Sequence, residues 1–125
     1  MRVGIDAQQV SEVRRALVDH GDRYRRRVYT EQEVESCGGW GADPDEAAEG
    51  LAARFAAKEA VLKVLRVSER MPPFTDIEVV REPGGWPSLR LAGVALALAE
   101  EVGLRDFELS LSHTADIAVA AVIAA

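Results

Sequence analysis

The chain has 125 residues, of which 48% are hydrophobic and 29% charged, and its formal net charge is −6 at pH 7. This length and composition are typical of one globular domain that folds without disulfide bonds. The acidic balance argues against a nucleic-acid-binding protein. The single cysteine, Cys37, excludes an internal disulfide and a zinc cluster and fits a reducing, cytoplasmic setting. No secretory signal is recognisable, and no apolar run approaches the roughly 20 residues of a membrane span.

The N-terminal third predicts one short strand followed by helices. A strand is expected over residues 3–5, with Asp6 at its end, and apolar residues then recur at helical spacing as far as Gly21. Thr30 followed by Glu33 has the spacing of a capping box, so a short helix should begin directly after Thr30. A glycine-rich stretch follows and is predicted to be a loop.

A long helix is predicted over residues 45–66, because Asp43 can cap its first turn and Pro44 suits that turn. Its apolar residues occupy two nearly opposite faces, which indicates a helix that is buried on much of its circumference. The first face contains Ala53, Ala57, Ala60, Val61 and Val64, and the second contains Leu51, Phe55 and Leu62.

The C-terminal half predicts a hairpin, a short helix and two further strands. The hairpin strands are expected over 75–82 and 86–92, the helix over 93–103, and the last strands over 107–112 and 117–124. Strands and helices in this order favour an α+β domain, with a largely antiparallel sheet packed against the long central helix.

Glu59 and Lys63 interrupt the apolar helix, and two interpretations remain open for them. They can form an i,i+4 pair on an exposed edge, worth roughly 0.2–0.5 kcal/mol. Alternatively, Glu59 joins a second carboxylate, for which Asp6 is the best candidate, in an all-oxygen Mg²⁺ site, while Lys63 offers a point charge to phosphate. Asp6 also has a structural alternative, as the N-cap of the helix that follows.

Ser112, His113 and Thr114 crowd a predicted turn near the C-terminus. Hydroxyls and backbone N–H groups in such a turn can hold an anion, but a polar hairpin turn has the same composition. Gly85 and Pro87 flank a tryptophan in the other hairpin and are explained equally well by turn geometry. A Ser-His hydrolase lacks support, because no G-x-S-x-G motif is present. The two glycine-rich nucleotide-binding motifs, Walker A and G-x-G-x-x-G, are absent as well.

Taken in order, these segments resemble the holo-[acyl-carrier-protein] synthase family of phosphopantetheinyl transferases over nearly the whole chain. The matching stretches are VGID, RRVYTEQE, RFAAKEAVLKVL, DIEV with GGWPSLRL, and SLSHTADIAVAAVI. The resemblance implies a phosphopantetheinyl transferase-like fold over residues 1–125, acting in the cytoplasm. It implies transfer of phosphopantetheine from coenzyme A to a serine of an apo acyl carrier protein of fatty-acid or polyketide synthesis. Mg²⁺ and a homotrimer with interfacial active sites are implied as well.

The resemblance also assigns roles by position. Asp6 and Glu59 would bind Mg²⁺, and Glu59 would help to deprotonate the serine of the carrier. Lys63 would steady the pyrophosphate. Coenzyme A phosphates would be held by Arg54 and Lys58 together with the turn at Ser112, His113 and Thr114, and its adenine would be enclosed by Gly85 and Pro87.

Two positions depart from the family pattern. Gln9 stands where the family has an acidic residue, and Glu12 stands where it has an arginine. Either Arg14 or Arg15 replaces that arginine, or the partner surface has changed. The alternative hypotheses are a diverged homologue that binds a carrier protein or coenzyme A without transfer, and an enzyme with another small substrate. The composition does not distinguish a trimer from a dimer.

Four arginines in the stretch DRYRRRV are the expected basic docking face for an acidic carrier protein, despite the net negative charge. A solvated helix face explains them as well. They are Arg23, Arg25, Arg26 and Arg27.

Overall fold

In the computed structural model, which describes all 125 residues, four helices and five strands surround one long helix. A single turn of 3-10 helix, Phe74–Asp76, precedes the second strand. The class is α+β, as predicted. The elements are β1 (Arg2–Gln9), α1 (Val10–His20), α2 (Asp22–Val28), α3 (Glu31–Ser36), α4 (Pro44–Leu65), β2 (Ile77–Arg81), β3 (Pro87–Leu91), α5 (Gly93–Glu101), β4 (Phe107–His113) and β5 (Ile117–Ala124).

The strands form two separate antiparallel sheets. The larger sheet has the order β1-β5-β4, so the first strand of the chain pairs with the last, and β2 and β3 form a hairpin of their own. Helix α4 packs across one face of the larger sheet, against β1 and β5. No helix combines the length and the apolar composition needed to cross a membrane.

Local sequence signals located the helix ends correctly. Thr30 and Glu33 form the complete capping box of α3, and the Asp43 side chain accepts a hydrogen bond from the Asp45 N–H at the start of α4. Gly21 ends α1 with a positive φ of 55°. Helix α2, which contains the arginine cluster, begins immediately after this glycine.

The prediction that the first strand ends at Asp6 is wrong. Strand β1 continues to Gln9 because it pairs with β5 along its whole length, and Asp6 lies opposite Ala120 in the middle of this pairing. The N-cap of α1 is Gln9, which makes no side-chain capping bond. Asp6 therefore has no capping role, and its carboxylate needs another explanation.

Gly4 allows α4 to approach β1 closely. A Cβ at Gly4 would collide with the backbone carbonyl oxygen of Ala60 in α4. Because successive side chains alternate across a strand, Asp6 lies on the same face of β1 as Gly4 and faces α4. This close contact places the carboxylate of Asp6 beside the last turns of the helix.

The other face of the larger sheet is uncovered, and it is apolar where β1 pairs with the end of β5. Its side chains alternate with those that face α4. Val3 is 71% exposed and Ile5 is 60% exposed, and Ile123 from β5 is exposed directly opposite Val3. A contiguous apolar surface of this kind is uncommon on a monomeric protein and is typical of a protein interface.

A fully buried ion pair between Lys58 and Glu33 joins three elements. Lys58 Nζ lies 2.7 Å from Glu33 Oε1 and also donates to the carbonyl oxygens of Phe74 and Ile77. Glu33 Oε1 accepts from the N–H of Thr30, and Oε2 accepts from the N–H of Val79. The pair therefore ties α4 to α3 and to the start of β2.

Replacing Lys58 with methionine should be strongly destabilising, because the carboxylate of Glu33 would stay buried without its counter-charge. We expect Lys58→Met to lower the free energy of unfolding by about 3–5 kcal/mol, as measured by urea denaturation. The double variant Lys58→Met/Glu33→Gln removes both charges and should recover much of this loss. A loss below about 1 kcal/mol in the single variant, the size expected of a surface pair, would contradict this role.

Candidate active site

The structure brings Asp6, Glu59 and Lys63 together at one edge of the fold. Asp6 lies on β1, and the other two residues lie one turn apart on α4. Lys63 Nζ is 3.2 Å from Asp6 Oδ1 and donates to the carbonyl oxygen of Ile5 at 2.8 Å. Glu59 and Lys63 also line a pocket of about 300 Å³.

The simpler interpretation of Glu59 and Lys63, a pair along the helix edge, is wrong. Lys63 makes its ion pair with Asp6 and not with Glu59. The lysine is tied to the strand at its tip while its side chain remains 55% exposed, whereas the Asp6 side chain is only 18% exposed. A long-range contact thus replaces the local one, and it leaves the Glu59 carboxylate free of an ion pair.

The pKa of Glu59 is raised above the ordinary value of a glutamate. Partial burial is the larger cause, repulsion by the neighbouring Asp6 carboxylate adds to it, and Lys63 opposes it. Burial and a like charge both disfavour ionisation. A carboxylate whose pKa is displaced towards neutrality is suited to accept a proton.

Asp6 and Glu59 fit a magnesium site that substrate phosphates and water would complete. No cluster of three or more His, Cys, Asp or Glu side chains is present, so the chain offers no complete protein cage for a metal. Mg²⁺ is usually held by one or two carboxylates together with substrate phosphates and water. Asp6 and Glu59 match that donor set, with Lys63 beside Asp6 as a further cation.

A second group of predicted residues lines a separate cleft of about 550 Å³. Arg54, Gly85, Pro87 and His113 all line this cleft. The Nε atom of Arg54 is buried without a hydrogen-bond partner, which leaves one donor to be satisfied. Gly85 has a positive φ of 97°, so the turn geometry also requires a glycine there.

Lys58, Ser112 and Thr114 do not line this cleft. All three donors of Lys58 are used by the buried partners described above, so the expectation that it holds a coenzyme A phosphate does not fit its position. Ser112 lies on the opposite face of β4 from His113. The hydroxyl of Thr114 accepts from the N–H groups of Asp116 and Ile117 and so stabilises the β4–β5 turn.

Sequence reasoning missed several residues of the cleft, among them Cys37, Glu46, Glu49 and Arg81. Arg81 at the end of β2 adds a second cation, and Cys37, next to Gly50 of α4, contributes a thiol whose pKa is raised by burial. Arg81 had a usable signal, because it ends the strand that leads into the Gly85 turn. No sequence signal pointed to Cys37, because only the tertiary fold brings the end of α3 against α4.

Helix α4 carries Arg54 of the 550 Å³ cleft and Lys63 of the carboxylate site on opposite sides. Nine positions separate Arg54 from Lys63, which is two and a half turns and about 13 Å of rise. Asp6 and His113 lie on β1 and β4, the two outer strands on either side of β5. One chain therefore does not bring the 550 Å³ cleft and the two carboxylates to the same phosphate group.

The arginine cluster divides into one structural and three exposed residues. Arg25 is buried and donates to Asp22 and to the carbonyl oxygen of Ala42, so it is not part of a docking face. The exposed members are Arg23, Arg26 and Arg27. Arg26 lies over the ring of Trp40, with its guanidinium carbon 5.2 Å from the ring centroid.

Two carboxylates and a lysine at one site, and a separate cleft that contains both arginines and glutamates, are compatible with an enzyme that acts on a phosphorylated substrate. The chain belongs to the 4'-phosphopantetheinyl transferase superfamily, whose family profile matches residues 2–122. It is 41% identical to a holo-[acyl-carrier-protein] synthase of Chloroflexus aurantiacus, over 97% of this chain and 95% of that protein. It is therefore an enzyme of the phosphopantetheinyl transferase class.

Solved structures of the same family share this fold. The holo-ACP-synthase of Plasmodium yoelii matches with a TM-score of 0.83 at 26% identity, over 98% of this chain and 92% of that one. The Bacillus anthracis holo-(acyl-carrier-protein) synthase in complex with CoA (3',5'-ADP) matches with a TM-score of 0.76 at 29% identity, over 98% and 94%. The predicted family and fold class are confirmed.

The raised pKa of Glu59 predicts a pH-dependent gain of stability in Glu59→Gln. The folded state keeps the Glu59 proton to a higher pH than the unfolded chain, so the ionised glutamate destabilises the fold above that pKa and not below it. We expect the melting temperature of Glu59→Gln to exceed that of the wild type at neutral pH. The difference should shrink as the pH falls towards the ordinary glutamate range.

Glu69→Gln is the matched control, because Glu69 is exposed just beyond α4 and its replacement changes the net charge equally. An equal gain in Glu69→Gln, or a Glu59→Gln gain that does not depend on pH, would contradict the assigned environment.

Proposed function

We propose that this enzyme transfers phosphopantetheine from coenzyme A to a serine hydroxyl of an apo acyl carrier protein, in a Mg²⁺-dependent reaction. The observation that carries the proposal is the convergence of Asp6, Glu59 and Lys63 from two distant segments, within a family of phosphopantetheinyl transferases. Relatives named holo-[acyl-carrier-protein] synthase, and one solved in complex with coenzyme A, support the substrate pair.

In the proposed reaction, the serine oxygen forms a bond to the phosphorus that carries the pantetheine arm. The bond from this phosphorus to the bridging oxygen breaks, and adenosine 3',5'-bisphosphate leaves with that oxygen. Glu59 accepts the serine proton. Lys63 balances negative charge on the diphosphate, and Asp6 holds the lysine in position.

Asp6 and Glu59 are the residues that would hold Mg²⁺. When bound, the ion would neutralise phosphate charge and align the diphosphate for in-line attack. Phosphoryl transfer depends more on positioning and charge neutralisation than on a strong nucleophile, and this chain supplies no activated serine or cysteine at the site.

The 550 Å³ cleft is proposed to hold the adenosine end of coenzyme A. Arg54 has an unsatisfied buried donor, and Arg81 and His113 add hydrogen-bond donors for phosphate oxygens. Gly85 and Pro87 form the turn at the mouth of the cleft, where a flat adenine ring would pack. Lys58 is assigned no ligand contact, since it supports the walls of this cleft from within the core.

We further propose a homotrimer with active sites between copies, formed by residues 1–125 as one domain in the cytoplasm. The uncovered sheet face around Val3, Ile5 and Ile123 supports association. The separation of Arg54 from Lys63 by α4 supports a shared site, because a neighbouring copy can supply the half that one chain cannot bring close. Light scattering, which measures mass in solution, distinguishes one, two or three chains of 13.6 kDa.

The exposed arginines of α2 are proposed to dock the acidic carrier protein. Arg23 and Arg27 line a shallow pocket beside His20.

On α1, Arg14 pairs with Asp45 at 2.9 Å, whereas Arg15 is exposed. Arg15 is therefore the better candidate to supply the positive charge that the family carries at the position of Glu12. Opposite surface charges of this kind mainly accelerate association and select the partner.

Incubation with apo carrier protein, coenzyme A and Mg²⁺ tests the transferase directly. Intact-mass spectrometry should show one added phosphopantetheine on the carrier, and Glu59→Gln should remove at least about 99% of the rate, since it removes both a proton acceptor and a metal ligand. Chelation of Mg²⁺ should stop the reaction reversibly. Carrier binding without any mass gain, for several carriers, would instead select the non-transferring homologue.

A further inference from the structure

Helix α4 ends in an unusual backbone conformation at Arg66. With φ 53° and ψ 49°, Arg66 is the only residue other than glycine that has a positive φ. The N–H groups of Arg66 and Val67 close the helix by donating to the carbonyl oxygens of Lys63 and Leu62. Glycine normally occupies this left-handed position, because a Cβ crowds the neighbouring carbonyl there. An arginine therefore occupies a position where glycine would be more stable.

Arg66 lies at the proposed reaction site. It lines the 300 Å³ pocket that also contains Glu59 and Lys63. Lys63 is tied to Asp6, but the guanidinium of Arg66 takes part in none of the ion pairs within the chain. Arg70, four residues later, differs in this respect, because it pairs with Glu101 at 2.8 Å.

We propose that Arg66 is a substrate-binding residue that acts with Lys63 on the diphosphate of coenzyme A. The diphosphate has two phosphate units, and a single lysine is a point charge that balances only one of them. The guanidinium of Arg66 adds a planar fork that can bind phosphate oxygens with two parallel hydrogen bonds. Strained backbone conformations of this kind cluster at ligand-binding sites, and Arg66 lines such a pocket.

This inference rests on the proposed function, since it assigns a further residue to the same substrate. The two cations are positioned differently. Lys63 is held by the Asp6 carboxylate, whereas Arg66 is positioned by the geometry of the helix end and has no carboxylate partner. The inference also predicts a trade-off between stability and binding that a purely structural arginine would not produce.

Arg66→Gly separates the two effects because it should change stability and binding in opposite directions. Relief of the left-handed strain should raise the melting temperature by a few degrees. Loss of the charged contact should weaken coenzyme A binding, measured by titration calorimetry with Mg²⁺, by about tenfold or more. In turnover assays, the KM for coenzyme A should rise while the KM for the carrier protein stays the same. Arg66→Lys, which keeps the charge without the fork, should bind with intermediate affinity.

Arg70→Gly is the matched control. It removes the same charge nearby, from an exposed residue that does not line the pocket. A higher melting temperature of Arg66→Gly with unchanged coenzyme A affinity would overturn the proposal. Equal weakening of coenzyme A binding by Arg66→Gly and Arg70→Gly would overturn it too, because a general loss of positive charge would then explain the lower affinity.

A titration with inorganic pyrophosphate keeps this inference separable from the transferase proposal. If wild-type protein neither binds coenzyme A nor modifies a carrier, the proposed function fails. Selective weakening of pyrophosphate binding by Arg66→Gly would still support the assignment of Arg66 to a diphosphate site. Equal pyrophosphate binding by the wild type and Arg66→Gly, or no binding by either, would overturn it.

Discussion

The buried ion pair of Lys58 and Glu33 is the interaction on which the 550 Å³ cleft depends. Three elements meet at it, namely α3 through Glu33, α4 through Lys58 and the start of β2 through the backbone of Ile77 and Val79. Burial lowers the pKa of Lys58, while the charge of Glu33 and the hydrogen bond to it oppose that shift. The pair is complete only when all three elements are in place, so it specifies their arrangement even where it adds little net stability.

The walls of the 550 Å³ cleft come from these same elements. Cys37 follows α3, Arg81 ends β2, and Arg54 projects from α4 one turn before Lys58. The elements that carry these residues are thus positioned from inside the core. On the opposite side of α4, the close contact at Gly4 performs the corresponding function, because it fixes the distance between Asp6 and the last turns of the helix.

The sequence was sufficient where a local interaction determines the structure. The capping box at Thr30 and the Asp43 cap place two helix starts, and alternating residues place β5, each through contacts within a few residues. It was insufficient where pairing is long-range. Strand β1 runs past Asp6 because β5, more than a hundred residues later, pairs with it throughout.

Lys58 shows how a pattern can mislead about a site residue. It stands in a motif that resembles phosphate-binding enzymes, and its charge suggested a ligand contact. Yet Leu51, Lys58 and Leu65 are spaced by seven residues and share one buried face of α4. That spacing was visible in the sequence and would have favoured a buried lysine, although its partner on α3 was not predictable from spacing alone.

The central proposal is that α4 directs two halves of one active site to opposite sides, so that the site would be complete only between copies. Mixing two impaired variants, Arg54→Ala and Glu59→Gln, tests this most directly, with transfer measured after the subunits have exchanged. A shared site in a cyclic trimer should restore on the order of a quarter of wild-type activity, because some interfaces then combine two intact halves. Activity that stays at the sum of the two separate variants would show that each chain builds its site alone.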